Sequence, residues 1–227
     1  MDDYDDGLTR VNPGFGRPRF SKVELRDILI SILVLSLAFT ILYRSGSILY
    51  FFEAKLRSET LAYVGLFAMC FLLVIFSFLL HEFGHKFTAQ KAGLWSEYRM
   101  FPAGLVITLV SSFFGFLFAA PGAVYIRGNM DDRTNGKVSI AGPVVNIILA
   151  AVGIAGCLAF NYTGLVIPFL LLANLNAFLA VFNLLPIPPL DGSKIFKWNI
   201  AVWVVAIAIA AVELIYVLKF MPTLYWA

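Results

Sequence analysis

The sequence has 227 residues, of which 60% are hydrophobic and 14% are charged, and its mean hydropathy is +0.86. A soluble domain is closer to half apolar and a quarter charged, so this composition excludes an ordinary soluble protein and indicates an integral membrane protein. The formal net charge of +3 is small, and we interpret the basic residues as signals of membrane topology and not as a nucleic-acid-binding surface. At about 20 residues per span, the length allows roughly five or six membrane spans.

The N-terminal residues 1–24 are polar and rich in Gly, Pro and charge, which predicts a mobile tail ahead of a transmembrane domain that covers residues 25–227. The tail lacks the short apolar core of a signal peptide. Hydropathy predicts spans at about residues 28–43, 61–93, 138–160, 165–185 and 200–218. Cys70 and Cys157 lie inside apolar runs, and we predict that both are small buried core residues.

Residues 104–126 are compatible with two structures. Their length and hydropathy would accept a spanning helix. Their β-branched and aromatic content, with small residues near the middle, equally suits a hairpin that enters and leaves the membrane by the same face. Residues 127–137 follow as a predicted charged loop, in which Asn135-Gly136 is a turn signal.

The second predicted span ends in His81-Glu82-Phe83-Gly84-His85, which contains the only two histidines of the sequence. On a helix this spacing places both imidazoles on one face, where they can bind one metal ion. Glu82 lies close enough to reach a water molecule beside that metal. The H-E-x-x-H pattern therefore predicts two zinc ligands and a general base. The alternative is a chance occurrence in an apolar helix, but ionisable residues at membrane depth are costly and usually functional.

A catalytic zinc ion usually takes three protein ligands, and without a third histidine we expect the missing ligand to be a carboxylate. Asp191 stands out because it follows a long apolar helix that ends at three prolines within residues 186–189. These prolines cannot continue a helix, so we predict extended backbone near the membrane face. Such backbone is tolerated only beside protein or a watery cavity. The alternative is that Asp191 and Gly192 merely begin a turn. The acidic candidates near membrane depth are Glu53, Glu59, Glu97, Asp191 and Glu213.

Three motifs in this order, within about residues 60–195, resemble the signatures of the site-2 protease family of intramembrane zinc metalloproteases: His81-Glu82-Phe83-Gly84-His85, Gly142-Pro143-x-x-Asn146 and Asn183-x-x-Pro186-x-x-Pro189-x-Asp191-Gly192. The resemblance implies that His81, His85 and Asp191 bind one zinc ion per chain. It implies that Glu82 is the general base and that Asn183 helps to stabilise the oxyanion. It also implies a minimal core enzyme without PDZ-like or CBS-like extensions.

The proposed ligand set restricts the topology. Asp191 can meet the histidines only if the helices preceding both sites end at the same membrane face, so residues 104–126 must return to the side that they left. We therefore predict an all-α integral membrane helical bundle with about five spanning helices and a re-entrant, hairpin-like segment. With the N-terminus in the cytoplasm, 13 of the 17 Lys and Arg residues lie inside and 4 outside. The active site then lies toward the cytoplasm and the C-terminus outside.

The predicted function is hydrolysis of peptide bonds within or near the transmembrane segments of membrane proteins in the lipid bilayer. The substrate helix must unwind locally, and the free edge of the hairpin could hold it by strand addition. We predict that Asn146, Asn174 and Asn176 join helices by hydrogen bonds, with Asn146 near the site. The alternatives are an ion transporter and a catalytically inactive scaffold. Ion transit does not need a base such as Glu82, and the scaffold would not need every catalytic residue to be present.

Overall fold

A computed structural model of the chain describes residues 20–44, 53, 58–160 and 163–225. Residues 1–19, most of the predicted tail, lie outside the described residues. The helices are α1 (Lys22–Tyr43), α2 (Glu59–Lys91, with a π-helical turn at Ile75–Leu79), α3 (Pro102–Phe113), α4 (Asp132–Ala159), α5 (Val166–Asn183), α6 (Asp191–Trp198) and α7 (Ile200–Tyr225), and the strands are β1 (Trp95–Met100) and β2 (Gly122–Arg127).

Among the described residues, five helices, α1, α2, α4, α5 and α7, are long and apolar enough to cross a membrane. This confirms the predicted helical bundle and its five spans, and the protein is a multi-pass integral membrane protein. Many large apolar side chains on these helices remain exposed, as expected for surfaces that face lipid. The α3 helix is also apolar, but at 12 residues it is shorter than the roughly 20 residues that a span needs.

The α1 helix begins earlier than hydropathy alone indicates, at Lys22, because the Ser21 hydroxyl caps it by accepting the Glu24 N–H at 3.1 Å. Its apolar face packs on the first half of α2, where Leu66 and Cys70 are fully buried. Cys157 on α4 is fully buried as well, so both cysteines are core residues as predicted.

The α4 helix shows where the local sequence was misleading. It begins at Asp132 and not near residue 138, so the predicted loop over residues 132–137 was wrong. The Asp131 carboxylate caps the helix by accepting the Thr134 N–H at 2.8 Å. Gly136 is not a turn residue: a Cβ there would lie 2.3 Å from the Trp198 side chain, so the glycine allows α6 to pack closely on α4.

Strands β1 and β2 form an antiparallel pair, with Trp95 opposite Arg127 and Met100 opposite Gly122. The Phe101 N–H donates to the Pro121 carbonyl at 2.8 Å, so the segment between the strands leaves and returns at one end of the hairpin. This confirms that the segment turns back and adds no sixth span.

The internal structure of residues 104–126 differs from a simple hairpin. Most of its first half belongs to α3, and only its end contributes to β2, whose partner β1 comes from residues 95–100. Pro102 at the first turn favours a helix, since its fixed φ and missing N–H are both compatible with that position. The β-branched residues therefore line a short helix.

Small residues bring the spans that carry the site close together. On α2, a Cβ at Gly84 would lie 2.8 Å from the Ala141 carbonyl oxygen of α4. On α4, Gly153 contacts Ala173 and Gly156 contacts Phe169 of α5, a pairing that runs in opposite directions along the two helices. The α4 and α5 helices are thus antiparallel, as their short connection predicts, and backbone contacts of this kind are typical of helix packing in lipid.

Candidate metal centre

The structure brings together the three residues predicted to bind metal. The ligand atoms of His81, His85 and Asp191 all lie within 4.8 Å of one another. Asp191 Oδ2 is 3.6 Å from His81 Nε2 and 3.1 Å from His85 Nε2, and the two Nε2 atoms are 3.0 Å apart. Both histidines are buried. Of the acidic candidates, Asp191 is the one that joins the histidines among the described residues.

A series of turns after α5 brings Asp191 close to the two histidines. After α5 ends at Asn183, the proline-rich segment folds through several turns, and Asp191 is the first residue of α6. The extended backbone predicted here was therefore wrong, and α6 was not anticipated. A Cβ on Gly192 would lie 2.1 Å from the Leu184 carbonyl oxygen, so the glycine lets the chain fold back against the end of α5. The Asp-Gly pair thus begins a helix that faces the histidines.

Each histidine is held through its Nδ1 atom. His81 Nδ1 lies 2.6 Å from Asn146 Oδ1, and His85 Nδ1 lies 2.8 Å from the Val138 carbonyl oxygen. An oxygen partner at Nδ1 selects the tautomer that carries the proton there and leaves the Nε2 lone pair free. Both Nε2 atoms face Asp191, so the two imidazoles are oriented as metal ligands.

Asn146 orients His81 as part of a buried amide network. Its Nδ2 donates to the Ser77 carbonyl at 2.9 Å and to Asn176 Oδ1 at 2.8 Å, and Asn176 Nδ2 donates to the Ser77 hydroxyl at 2.9 Å. These bonds join α2, α4 and α5, as predicted for Asn146 and Asn176. Asn174, for which the same role was predicted, is instead exposed on α5. Ser77 was not predicted to take part. It lies in the π-helical turn of α2, a local structure that frequently marks functional sites.

Gly142 leaves the space in which a metal ion could lie. A Cβ at this position would be 2.3 Å from His85 Nε2 and 2.7 Å from His81 Nε2. The backbone of α4 therefore approaches the ligand atoms directly, and only glycine leaves them accessible. Two imidazole nitrogens and one carboxylate oxygen are a typical donor set for catalytic zinc. The residues present thus fit a zinc ion.

The neighbouring histidines affect the ionisation of the Asp191 carboxyl. Burial would raise the pKa of this carboxyl, but the adjacent His85 and His81 hold the pKa well below its ordinary range. The ionised carboxylate is also the form that binds a metal cation. The Asp191 carboxyl is therefore suited to bind a metal cation.

The two predicted catalytic residues occupy different situations. Glu82 is buried between the metal-ligand cluster and the hairpin, where its Oε2 accepts the Val124 N–H at 3.1 Å. Asn183 Nδ2 instead donates to the Leu179 carbonyl of its own helix at 3.0 Å. The structure thus places Glu82 beside the histidines and engages the Asn183 amide on α5.

A buried H-E-x-x-H helix that faces an aspartate, inside a bundle of membrane-spanning helices, is the arrangement of a membrane-embedded metalloprotease. Sequence comparison points the same way. The chain is 37% identical over 190 residues to a protein of Methanocaldococcus jannaschii provisionally named zinc metalloprotease MJ0611, with 82% of this chain and 90% of that protein aligned. The chain belongs to the site-2 protease family of zinc metalloproteases.

Two further relatives carry similar provisional names. Zinc metalloprotease YwhC of Bacillus subtilis is 36% identical over 159 residues, which cover 60% of this chain and 71% of that protein. Zinc metalloprotease Rip2 of Mycolicibacterium smegmatis is 34% identical over 154 residues, which cover 58% of this chain and 57% of that protein. No family model and no solved structure matches the chain.

Proposed function

We propose that the protein is an intramembrane zinc endopeptidase that cleaves membrane proteins within or near their transmembrane segments. The observation that carries this proposal is the burial of His81, Glu82 and His85, with Asp191 beside the two histidines, at one end of the five described helices able to span a membrane. A substrate that is itself embedded in the bilayer can reach such a site from within the membrane. A soluble substrate would have to leave water to reach it.

The proposed metal ligands are His81 Nε2, His85 Nε2 and a carboxylate oxygen of Asp191. Zinc supplies Lewis acidity, which polarises a carbonyl oxygen and acidifies water. The protein holds the ligand atoms ready through Asn146 on His81 Nδ1 and the Val138 carbonyl on His85 Nδ1. Such supporting hydrogen bonds fix the imidazole orientation and increase ligand basicity.

Glu82 is the proposed general base. One oxygen of its carboxylate is bonded to the Val124 N–H, which leaves the other oxygen to accept a proton from the attacking water. The same carboxyl group then returns the proton to the leaving amine. The Asn183 amide is proposed to stabilise the developing oxyanion after it turns away from the Leu179 carbonyl.

The substrate must present an extended segment, because a transmembrane helix hides its amides in its own hydrogen bonds. The hairpin offers two outer edges for strand addition. The outer edge of β1 is engaged by α1, since the Tyr98 N–H donates to Glu24 at 2.9 Å and the Met100 N–H to Asp27 at 3.4 Å. On the outer edge of β2, the Val124 N–H donates to Glu82, so this edge runs beside the proposed base. We propose the rest of the β2 edge as the site of substrate addition.

Removal of zinc provides the test of this function. In proteoliposomes, the purified protein should cleave a single-span model substrate, lose that activity with a membrane-permeant chelator, and recover it when zinc is added back. The same peptide sequence in a soluble form should be cleaved much more slowly. Chelator-resistant cleavage would exclude the metal mechanism, and ion flux without any peptide cleavage would favour the transporter.

The proposed orientation places the site toward the cytoplasm. Lys91 and Asn129 lie at exposed positions on the metal side of the bundle, and Thr163 is exposed in the link between α4 and α5. A single cysteine at position 91 or 129 should react with an impermeant maleimide only from the cytoplasmic side, and one at position 163 only from outside. Labelling of positions 91 and 129 from opposite sides would contradict a chain that turns back between β1 and β2. Labelling of 91 and 129 from outside and of 163 from the cytoplasm would mean that the proposed orientation is inverted.

A further inference from the structure

One fully buried ion pair has no part in the proposed chemistry. Lys86 of α2 and Glu24 of α1 are both 0% exposed, with Lys86 Nζ 2.8 Å from Glu24 Oε1 and 2.9 Å from Glu24 Oε2. Lys86 Nζ also donates to the Ser96 carbonyl of β1 at 2.9 Å, and it lies 4.7 Å from the centre of the Phe20 ring. The ammonium group thus joins two helices and one strand.

Glu24 takes the place of a neighbouring strand along the outer edge of β1. Its Oε1 accepts the Tyr98 N–H at 2.9 Å. The Tyr98 side chain is held on the same helix, because its hydroxyl lies 2.9 Å from the Ser31 hydroxyl. Tyr98 is buried, so without Glu24 its N–H would be left in the interior without an acceptor, which is costly.

The hairpin is therefore fastened to α2 at two points. Lys86 donates to the Ser96 carbonyl of β1, and Glu82, one helical turn earlier on the same face, accepts the Val124 N–H of β2. Tyr98 and Val124 are directly opposite each other in the strand pair. A shift of β1 along α2 would thus move Val124 away from the general base.

Stability alone does not account for a pair buried in this way. Removing two charges from water is costly, and apolar replacement of a buried pair is often neutral or stabilising. The advantage of such a pair is geometric, because it satisfies specific donors and acceptors in one arrangement only. Here the arrangement sets the position of the hairpin.

We infer that Glu24 and Lys86 are positioning residues for peptide hydrolysis. They fix the position of β1 against α1 and α2. In that position the paired strand β2 donates the Val124 N–H to the Glu82 carboxylate, and the outer edge of β2 lies beside the metal ligands. The inference rests on the proposed function for its consequence in catalysis, but the position of the hairpin is measurable without any activity.

The test compares two double variants that carry the same loss of charge. In Glu24→Leu/Lys86→Met the Tyr98 N–H has no acceptor, whereas in Glu24→Gln/Lys86→Met the glutamine oxygen can accept it. We expect amide hydrogen exchange over residues 122–127 to be roughly tenfold faster in the leucine variant and to return toward the wild-type rate in the glutamine variant. The turnover number per zinc-loaded molecule should follow the same order.

The control is the exposed pair Asp132–Lys197, whose atoms lie 3.0 Å apart with side chains 66% and 71% exposed. Asp132→Asn/Lys197→Met should leave the exchange and turnover unchanged. Equal exchange and turnover in both Glu24 variants would overturn the inference. If the leucine variant does not fold, Val124→Pro removes the N–H that contacts Glu82 and keeps the ladder to β1. A wild-type turnover number in that variant would also overturn it.

The two proposals fail in different ways. If the wild-type protein cleaves no substrate, the proposed function fails, while the exchange measurements still decide whether Glu24 and Lys86 hold the hairpin. If the wild type is active and the leucine variant is equally active at full zinc content, the positioning role fails and the proposed function stands.

Discussion

Replacement of Gly142 by alanine is expected to weaken zinc binding strongly, and proteolysis with it, while the bundle still assembles. The added Cβ would lie 2.3 Å from His85 Nε2 and 2.7 Å from His81 Nε2, and these are the two atoms proposed to bind the metal. The imidazoles cannot easily move away, because Asn146 and the Val138 carbonyl hold their Nδ1 atoms. We expect zinc affinity to fall by roughly 100-fold or more, since lesser changes around such ligands already cost 10–100-fold.

The measurement is the zinc content of the purified protein and its affinity in competition with a chromophoric chelator. Gly156→Ala on the same helix is the matched control. Its Cβ would come 2.2 Å from the Phe169 ring, a side chain that can rotate, at a contact between α4 and α5. This control should disturb packing and keep zinc. A Gly142→Ala protein that binds one zinc ion with wild-type affinity would refute the assignment of the metal centre.

The Glu82→Gln variant is expected to bind zinc normally and to lose peptide hydrolysis by roughly 10²–10⁴-fold, the usual contribution of a general base. Glutamine has nearly the same shape, and its amide oxygen can still accept the Val124 N–H. The hairpin contact is therefore retained. What is lost is the ability of the side chain to take a proton from water and return it to the leaving amine.

Single-turnover cleavage of a model substrate in proteoliposomes, with zinc content measured on the same preparation, distinguishes these effects. Glu97→Gln is the control, because this carboxylate of β1 pairs with Arg99 and accepts the Ser21 hydroxyl, away from the metal ligands. It should cleave at nearly the wild-type rate. Near wild-type cleavage by Glu82→Gln would mean that another group is the base. Loss of zinc in that variant would assign Glu82 a structural role instead.

The spans were predictable because lipid imposes one simple requirement, a run of apolar residues of sufficient length. The ends of the helices were less predictable, since they depend on single contacts. The charged residues after Arg127 resemble a loop, but the Asp131 cap and the packing of Trp198 on Gly136 make residues 132–137 helical. The α6 helix is short and follows three prolines, and it forms where it packs on α4.

The β1 strand was missed for a different reason. Its polar sequence gives no clear signal, and the outward donors at Tyr98 and Met100 find acceptors in Glu24 and Asp27, more than 70 positions earlier. No local pattern contains such a pairing. The apolar residues after Pro102 suggested strand pairing within residues 104–126, whereas most of the first half is helical.

The chemistry of the metal centre was visible in the sequence, but its supports were not. The spacing of His81 and His85 indicates two ligands on one face. The prolines before Asp191 made it a candidate for the third ligand, and the family resemblance supported that choice. The oxygen that orients His85 belongs to the Val138 backbone, which leaves no trace in side-chain identity. Gly142 was noticed as part of a motif, yet the reason for it, direct contact with both Nε2 atoms, appears only in three dimensions.

The π-helical turn at Ile75–Leu79 has a consequence for how the two halves of α2 are oriented. Each residue of a regular helix advances the side-chain direction by about 100°, and a π turn accommodates one residue more than a regular turn. The apolar half before it, which packs on α1, and the half that carries His81 and His85, which faces α4, are therefore out of phase by about that angle. One helix can thus pack against two neighbours on different sides. The extra residue in the π turn sets the direction in which His81 and His85 point, and only in that direction do they face Asp191.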